Sequence, residues 1–295
     1  MLSPVTDKNE STSLSEPPKL SRARGELRVS FKRRSEQTVL DDFYQQGCLK
    51  ARLPTPEPDG ILEGVLINTS GGLTDGDKLQ QNIKWGDQTT ARITSQAAER
   101  IYRSRLEDAH IETSLTIGKR AHAQWLPQET ILFNGGRLHR TNKISMAKGA
   151  SLIATESLVF GRTAMREEVS EGSIFESWRI RYEGKLVFAD GFHLHGNIKE
   201  QLASKAIANG ANSIATLLYV GEDAEDYEKS MKQAAKSHSH EGARIGCSLL
   251  PDLLVIRILG LSGASMRSAL SEMVLELMRE TSGTQSAKLP KVWLC

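Results

Sequence analysis

The chain has 295 residues, 39% hydrophobic and 25% charged, enough apolar material for one large packed body with appendages. Its 38 Lys and Arg against 36 Asp and Glu leave a formal net charge of +2, and no basic cluster in the folded part marks a nucleic-acid surface. Cys48, Cys247 and Cys295 are odd in number and far apart, which excludes a disulfide framework or a C-x-x-C motif and suggests a reducing compartment. No stretch approaches the roughly 18 apolar residues of a membrane span, and the N-terminal sequence lacks a signal-peptide core, so a cytoplasmic location with no membrane partner is expected.

Residues 1–24 are rich in Ser, Thr, Pro and Lys and poor in large apolar groups; they are expected to form a disordered tail. From Gly25 the pattern changes to period two, with Leu27, Val29 and Phe31 alternating with polar neighbours. Strand-like runs follow at 64–69, 79–85, 89–95, 111–117, 137–145, 151–155, 174–182 and 186–192, separated by glycine-rich or charged turns. Helical periodicity is nearly absent over this stretch. The spacing excludes a βαβ fold and leaves a sandwich, a barrel or a β-solenoid, although no fixed sequence period is visible.

The chain changes character after residue 212. Residues 213–220 read as a buried strand, 223–236 as a charged helix and 253–259 as a further strand. Met266, Ala269, Met273, Val274, Leu277 and Met278 then form one apolar helical face, whose simplest role is core packing. The expected organisation is a tail over 1–24, a β-rich body over 25–212 and a small α+β portion over 213–295 packed on it.

Phosphate-loop, dinucleotide, zincin and nucleophile-elbow motifs are all absent, so nothing in the sequence requires an enzyme. The loop Asn68-Thr-Ser-Gly-Gly-Leu-Thr-Asp75-Gly-Asp77 reads either as a tight turn whose carboxylates bond to local N–H groups or as a mount for an inward carboxylate. His193-Leu-His195 places two imidazoles on one strand face, a workable pair for Ni²⁺, Cu²⁺ or Zn²⁺; His238-Ser-His240 repeats the spacing in a polar stretch. Glu129, in Trp125-Leu-Pro-Gln-Glu129, and Glu156, after the apolar Leu152-Ile-Ala, would be costly to bury without a partner or a cation. Arg162, in Phe160-Gly-Arg162, is an available partner for Glu156.

Taken in order, Asn68–Asp77, Ile101-Tyr-Arg-Ser104, Trp125–Glu129, Glu156 with Phe160-Gly-Arg162, and Leu289-Pro-Lys-Val-Trp293 resemble the motifs of the urease accessory protein UreD (UreH) family, over residues 25–293. The chain departs from that pattern at Asp75, where the family commonly has Gly, and at Glu99, where a small residue is frequent. The resemblance implies a β-helix-like body and a non-enzymatic role in urease maturation. It also implies a dimeric accessory complex with UreF and the GTPase UreG, docked on apo-urease. Ni²⁺ would be carried transiently, with no tightly bound cofactor, through a water-filled passage in the family's β body.

Asp77 and Glu156 match carboxylates implicated in that passage. Glu129, Glu99, Arg103, His193 and His195 are further candidates. Oxygen ligands suit such a relay, because they hold Ni²⁺ less tightly than imidazole or thiolate. Two alternatives stand beside it: a docking scaffold for UreF and UreG with no metal passage, and an enzyme built on a β-helix.

Overall fold

The alternation read from the sequence is realised as burial. Between Ala109 and Ile117 the odd-numbered residues are buried, while His110, Glu112, Ser114 and Thr116 face outward. The structure is a computed structural model describing residues 21–55, 61–162, 167–283 and 286–294. Cys295 and residues 1–20 of the expected tail lie outside the described residues.

The strands in chain order are β1 (Arg24–Arg34), β2 (Gln37–Gly47), β3 (Leu49–Arg52), β4 (Leu62–Asn68), β5 (Lys78–Trp85), β6 (Thr90–Ser95) and β7 (Glu99–Ile101). They continue as β8 (Ala109–Ile117), β9 (His122–Leu126), β10 (Thr130–Leu132), β11 (Arg137–Met146), β12 (Ser151–Phe160), β13 (Gly172–Tyr182) and β14 (Lys185–Gly196). After these come α1 (Ile198–Ala203), β15 (Ser213–Val220), α2 (Glu228–His238), β16 (Ala243–Leu250), β17 (Leu253–Gly260) and α3 (Gly263–Ser282). Arg24, at the end of the segment expected to be tail, already belongs to β1.

Two sheets face one another. The first has the order β14-β13-β11-β8-β5-β1-β2 and the second β16-β17-β15-β12-β9-β6-β4-β3, with β7 and β10 forming a short ladder beside the far half of β12. In the first sheet β5, β8, β11 and β13 run parallel, as do β4, β6, β9 and β12 in the second. The chain therefore coils, laying one strand on each sheet per turn. This is the expected β-helix-like stack.

Lys78 lies opposite His110, Ala109 opposite Leu138 and Arg137 opposite Ser173, steps of 32, 29 and 36 residues. The uneven steps explain why no fixed period appears in the sequence. Parallel register then stacks inward residues into rows, of which Val29, Ile83, Leu115, Ile144 and Ile180 form one and Phe31, Trp85, Ile117 and Met146 another.

The second sheet extends across the expected boundary at residue 212, because β15 pairs with β12 and continues through β17 to β16. Its outer face carries a second core under the helices. Ser262 and Ser265 form a capping box that starts α3, and Gly283 at φ 62° ends it. Between them Met266, Met273, Leu277 and Met278 are buried against Leu217, Ile256 and Ile258, so the methionine stripe is core.

The segment after α3 returns to the coils and fastens onto them. Trp293 is 6% exposed, and its indole N–H approaches Thr94 Oγ1 and Leu126 O, each at 3.2 Å. Gln128 Nε2 donates to Val292 O at 2.9 Å, and Arg267 of α3 bonds both Glu129 and Trp293 O. Trp293→Ala is expected to cost about 3–5 kcal/mol of stability, read from urea unfolding; a midpoint within error of wild type would show that the contact is superficial.

Candidate functional site

The interior is not apolar throughout. One inward row contains Gln81, Thr113 and Asn142, and the row beside it contains Ile111, Arg140 and Glu176. Short polar side chains leave space between the sheets, and a cavity of about 190 Å³ occupies it. Gln81, Thr113 and Arg140 line it from the first sheet, Trp125, Thr130 and Glu156 from the second, and Asn68 and Glu99 from the flank. It extends to the loops at Gly71, Gly72 and Gln96–Ala98.

Arg140 is the centre of this arrangement. The residue is 3% exposed, and its guanidinium contacts Glu156 Oε1 and Thr130 Oγ1 at 2.8 Å each and binds Glu176 through Nε at 3.2 Å and through a second nitrogen. Trp178 Nε1 donates to the other Glu176 oxygen at 3.0 Å. One buried cation therefore holds two buried carboxyls. Burial pushes the Glu156 carboxyl up to about 8, with Glu176 adding to the rise and Arg140, the Ser157 N–H and Asn142 opposing it. Arg140 itself, desolvated but flanked by Glu156 and Glu176, is held above its ordinary value.

Glu99 forms the other acidic wall. Asn68 Nδ2 donates to both of its oxygens, at 3.0 and 3.1 Å, yet burial still raises its carboxyl above the ordinary value. Trp125 Nε1 and both polar atoms of the Asn142 side chain are buried without a hydrogen-bond partner, although Asn142 lies near enough to help hold the Glu156 carboxyl down. Buried groups in that condition mark a place for water or a polar guest. Among the described residues no three His, Cys, Asp or Glu side chains converge closely enough to hold a metal ion as a resident centre.

The other sequence-derived candidates lie elsewhere. Asp77 does not line the cavity: its carboxylate accepts the Ala23 N–H at 2.7 Å and the Thr74 N–H at 2.8 Å. Asp75 likewise caps the Leu106 and Glu107 N–H groups, at 2.9 and 2.7 Å, and these bonds with nearby Arg22 hold its carboxyl low against the opposing effect of burial. Local turn bonding is therefore what this loop's carboxylates do. Glu129 turns away to Arg267, and Arg162 pairs with Glu167 rather than with Glu156. Arg103 is exposed beside Gly135, and His193 and His195 project outward from β14 with ring centroids 6.4 Å apart.

The glycine loop contributes by its backbone. A side chain at Gly72, where φ is 143°, would meet the Tyr102 ring at 2.4 Å and Arg100 O at 2.8 Å. Tyr102 in turn donates to Gly71 O at 3.3 Å and meets Phe133 edge-on at 5.0 Å. Parts of three motifs scattered along the sequence, Asn68 with Gly71 and Gly72, Trp125 with Gln128, and Glu156, thus border a single cavity together with Glu99 and Arg100, whereas Ile101–Ser104 lies beside it without lining it. Arg140, Glu176 and Gln81 escaped the sequence reading. Arg140 was findable in principle, since it shares inward parity with Leu138 and Ile144.

A family model described as "UreD urease accessory protein" matches residues 23–294. The protein named "Urease accessory protein UreD" from Chelativorans sp. (strain BNC1) is 38% identical over 277 residues, covering 94% of this chain and 96% of its own length. "Urease accessory protein UreD 1" from Bradyrhizobium sp. (strain ORS 278) is 36% identical over 274 residues, 93% of this chain and 94% of the relative. "Urease accessory protein UreD" from Methylobacterium sp. (strain 4-46) is 40% identical over 258 residues, 87% and 89% respectively.

Two outcomes are expected. Asp77→Ala should lower stability by about 1–3 kcal/mol in urea unfolding, because two backbone N–H groups lose a charged acceptor. For Glu156, a raised native pKa means that the folded chain holds the proton more tightly than the unfolded chain does. Its favourable contribution is complete below the unfolded value of ~4.3 and is lost as pH rises towards about 8. The Tm of Glu156→Gln should therefore decline less than wild type across that window; equal slopes would show that Glu156 titrates normally.

Proposed function

The chain belongs to the UreD family of urease accessory proteins, and from that premise we propose that it is a non-catalytic subunit of the nickel-delivery machinery of urease. In this reading it works in the cytoplasm with UreF and the GTPase UreG, in a dimeric complex docked on apo-urease. The cavity between the sheets is a transit point for Ni²⁺ on its way to the urease active site. The observation that carries the reading is a space between the sheets walled by Glu99 and Glu156, in which the polar groups of Asn68, Gln81, Thr113, Gln128 and Thr130 stand among apolar side chains such as Leu49, Leu66 and Ile111.

Such a donor set suits cargo better than a resident ion. Carboxylate, amide and water oxygens bind Ni²⁺ more weakly than imidazole or thiolate, so an ion can leave as readily as it enters. Entry of Ni²⁺ would displace the proton that Glu156 holds, after which the two acidic walls would offset the cost of bringing a dication out of water and water in the cavity would complete its coordination. Arg140 keeps the acidic groups in place and limits their net attraction. Residence is thereby kept short. Asp77 enters as the residue that aims the glycine loop, with Glu129, His193 and His195 outside the route.

The test is activation of urease under limiting nickel with Glu99→Gln/Glu156→Gln, which preserves the size of both side chains. We expect UreF and apo-urease binding to be retained and the rate of activation to fall by at least ~10-fold, a loss of about 1.4 kcal/mol or more in the rate-limiting transfer. Wild-type activation by a variant that still binds its partners would replace the passage by a docking scaffold.

A further inference from the structure

The outer face of the first sheet concentrates positive charge that the sequence disperses. Parallel stacking sets Arg24 beside Lys78 on β1 and β5, and Lys143 beside Arg179 on β11 and β13. Arg28, Lys84 and Arg181 project from the same face, and all seven are exposed. The outward positions of β1, β5, β8, β11 and β13 within their mutual pairings offer only Glu26 and Glu112 in opposition. At the β2 edge Lys32 and Asp41 neutralise one another at 2.8 Å. With Asp42 on β2 counted as well, and the Arg137–Asp108 and Lys32–Asp41 pairs cancelling, the face carries seven basic against three acidic groups, a net +4, in a chain whose total is +2. The absence of a basic cluster holds for the linear sequence and fails for the folded surface, because residues 54 and 36 positions apart become neighbours.

Like charges side by side on adjacent strands are unfavourable, so their retention in two places suggests an external partner. Among the described residues, Lys78, Lys84 and Lys143 make no ion pair or side-chain hydrogen bond. Among the described residues, Arg179 and Arg181 bond only carbonyl oxygens, with no carboxylate to offset their charge. Across the face runs a strip of flat rings, with His110 and His139 at 5.4 Å, His139 and Phe175 at 4.6 Å, and Phe175 and His193 at 6.0 Å. Arginines beside a strip of planar rings match the side chains enriched at protein interfaces, and the lysines among them supply electrostatic steering.

We propose that this face docks an acidic protein surface. Strands about 4.8 Å apart and about 3.3 Å per residue make the seven-stranded face roughly 30 Å by 26 Å, close to the ~800 Å² each partner contributes to a standard interface. The row containing Glu26 and Glu112 separates the row of Arg24 and Lys78 from the rows of Arg28, Lys143 and Arg179 and of Lys84 and Arg181. A uniformly anionic polymer would be repelled there, whereas a protein can set a basic residue opposite each glutamate. The face is remote in role from the cavity: its residues point outward, and none lines the cavity.

The inference takes its probes from the maturation reading and is tested on the full chain with Lys78→Glu, Lys84→Glu and Lys143→Glu combined. Lys229→Glu/Lys236→Glu on α2 is the control, and unchanged thermal unfolding verifies that both variants fold. Affinities are measured for purified UreF, UreG and apo-urease, and for a short DNA duplex, in low salt and at ~150 mM salt. The expected result is a loss of more than ~10-fold for one of the three proteins in the triple variant alone, with a steep salt dependence in the wild type. Wild-type affinity of the triple variant for every partner overturns the docking face and leaves the maturation reading intact. A wild-type chain that binds none of the three proteins but holds the duplex tightly overturns both.

Discussion

The arrangement on which the rest depends is parallel, in-register stacking of successive coils. In a parallel stack each inward side chain lies over its counterpart one coil away, so the character of a position propagates along the axis. The row through Ile83, Leu115, Ile144 and Ile180 is consequently dry and close-packed. The neighbouring row through Gln81, Thr113 and Asn142 is equally regular but too short and polar to fill the gap. A cavity results without any interruption of the backbone ladder. The same register acts on the outer surface, where it turns isolated basic residues into patches.

Within that frame Arg140 does what no apolar residue could. A carboxyl at Glu156 or Glu176 alone would be a heavy desolvation cost, and a guanidinium alone would be another. Placed together they share one network, completed by Thr130 and the Trp178 indole. The network fixes where the acidic oxygens stand, at the expense of raising the Glu156 carboxyl far above its ordinary range. Glu99 belongs to the same field, since Arg140 also acts on it, but it is held directly by Asn68. That pairing gives physical content to the glycine-loop motif: its first residue grips a wall, and its glycines let the backbone lie against Tyr102.

Much of the fold was legible in the sequence where side chains alternate cleanly, as in β1, β5, β8, β11 and β13. Six strands escaped notice, β2, β3, β7, β9, β10 and β16, and for four of them the reason is specific. β2 is mostly exposed and interrupts its alternation with Asp41-Asp42, while β7 and β10 are three residues each and owe their conformation to their neighbours. β16 is an edge strand with Gly246 at its middle. The site was only partly legible, because spacing along the chain does not disclose which inward residues meet across the core. Glu156 was suspected of needing a partner, but Arg140 is brought to it by a change of sheet that no local pattern reveals. Asp77 was the reverse case, a residue whose local chemistry as a turn acceptor was the better guide.

The fastening of Trp293 and Val292 onto the coil that bears Trp125 and Gln128 bears on how the protein is made. Gln128 and Val292 are 164 positions apart, and Trp293 and Thr94 are 199. Contacts of such separation come late in folding. During synthesis the coils can stack as they emerge from the ribosome, but the wall behind Trp125 stays unfinished until Trp293 has emerged. A nascent chain therefore displays an open, partly apolar flank for most of its translation, and it is at that stage that a chaperone or an early-bound partner would have most to protect.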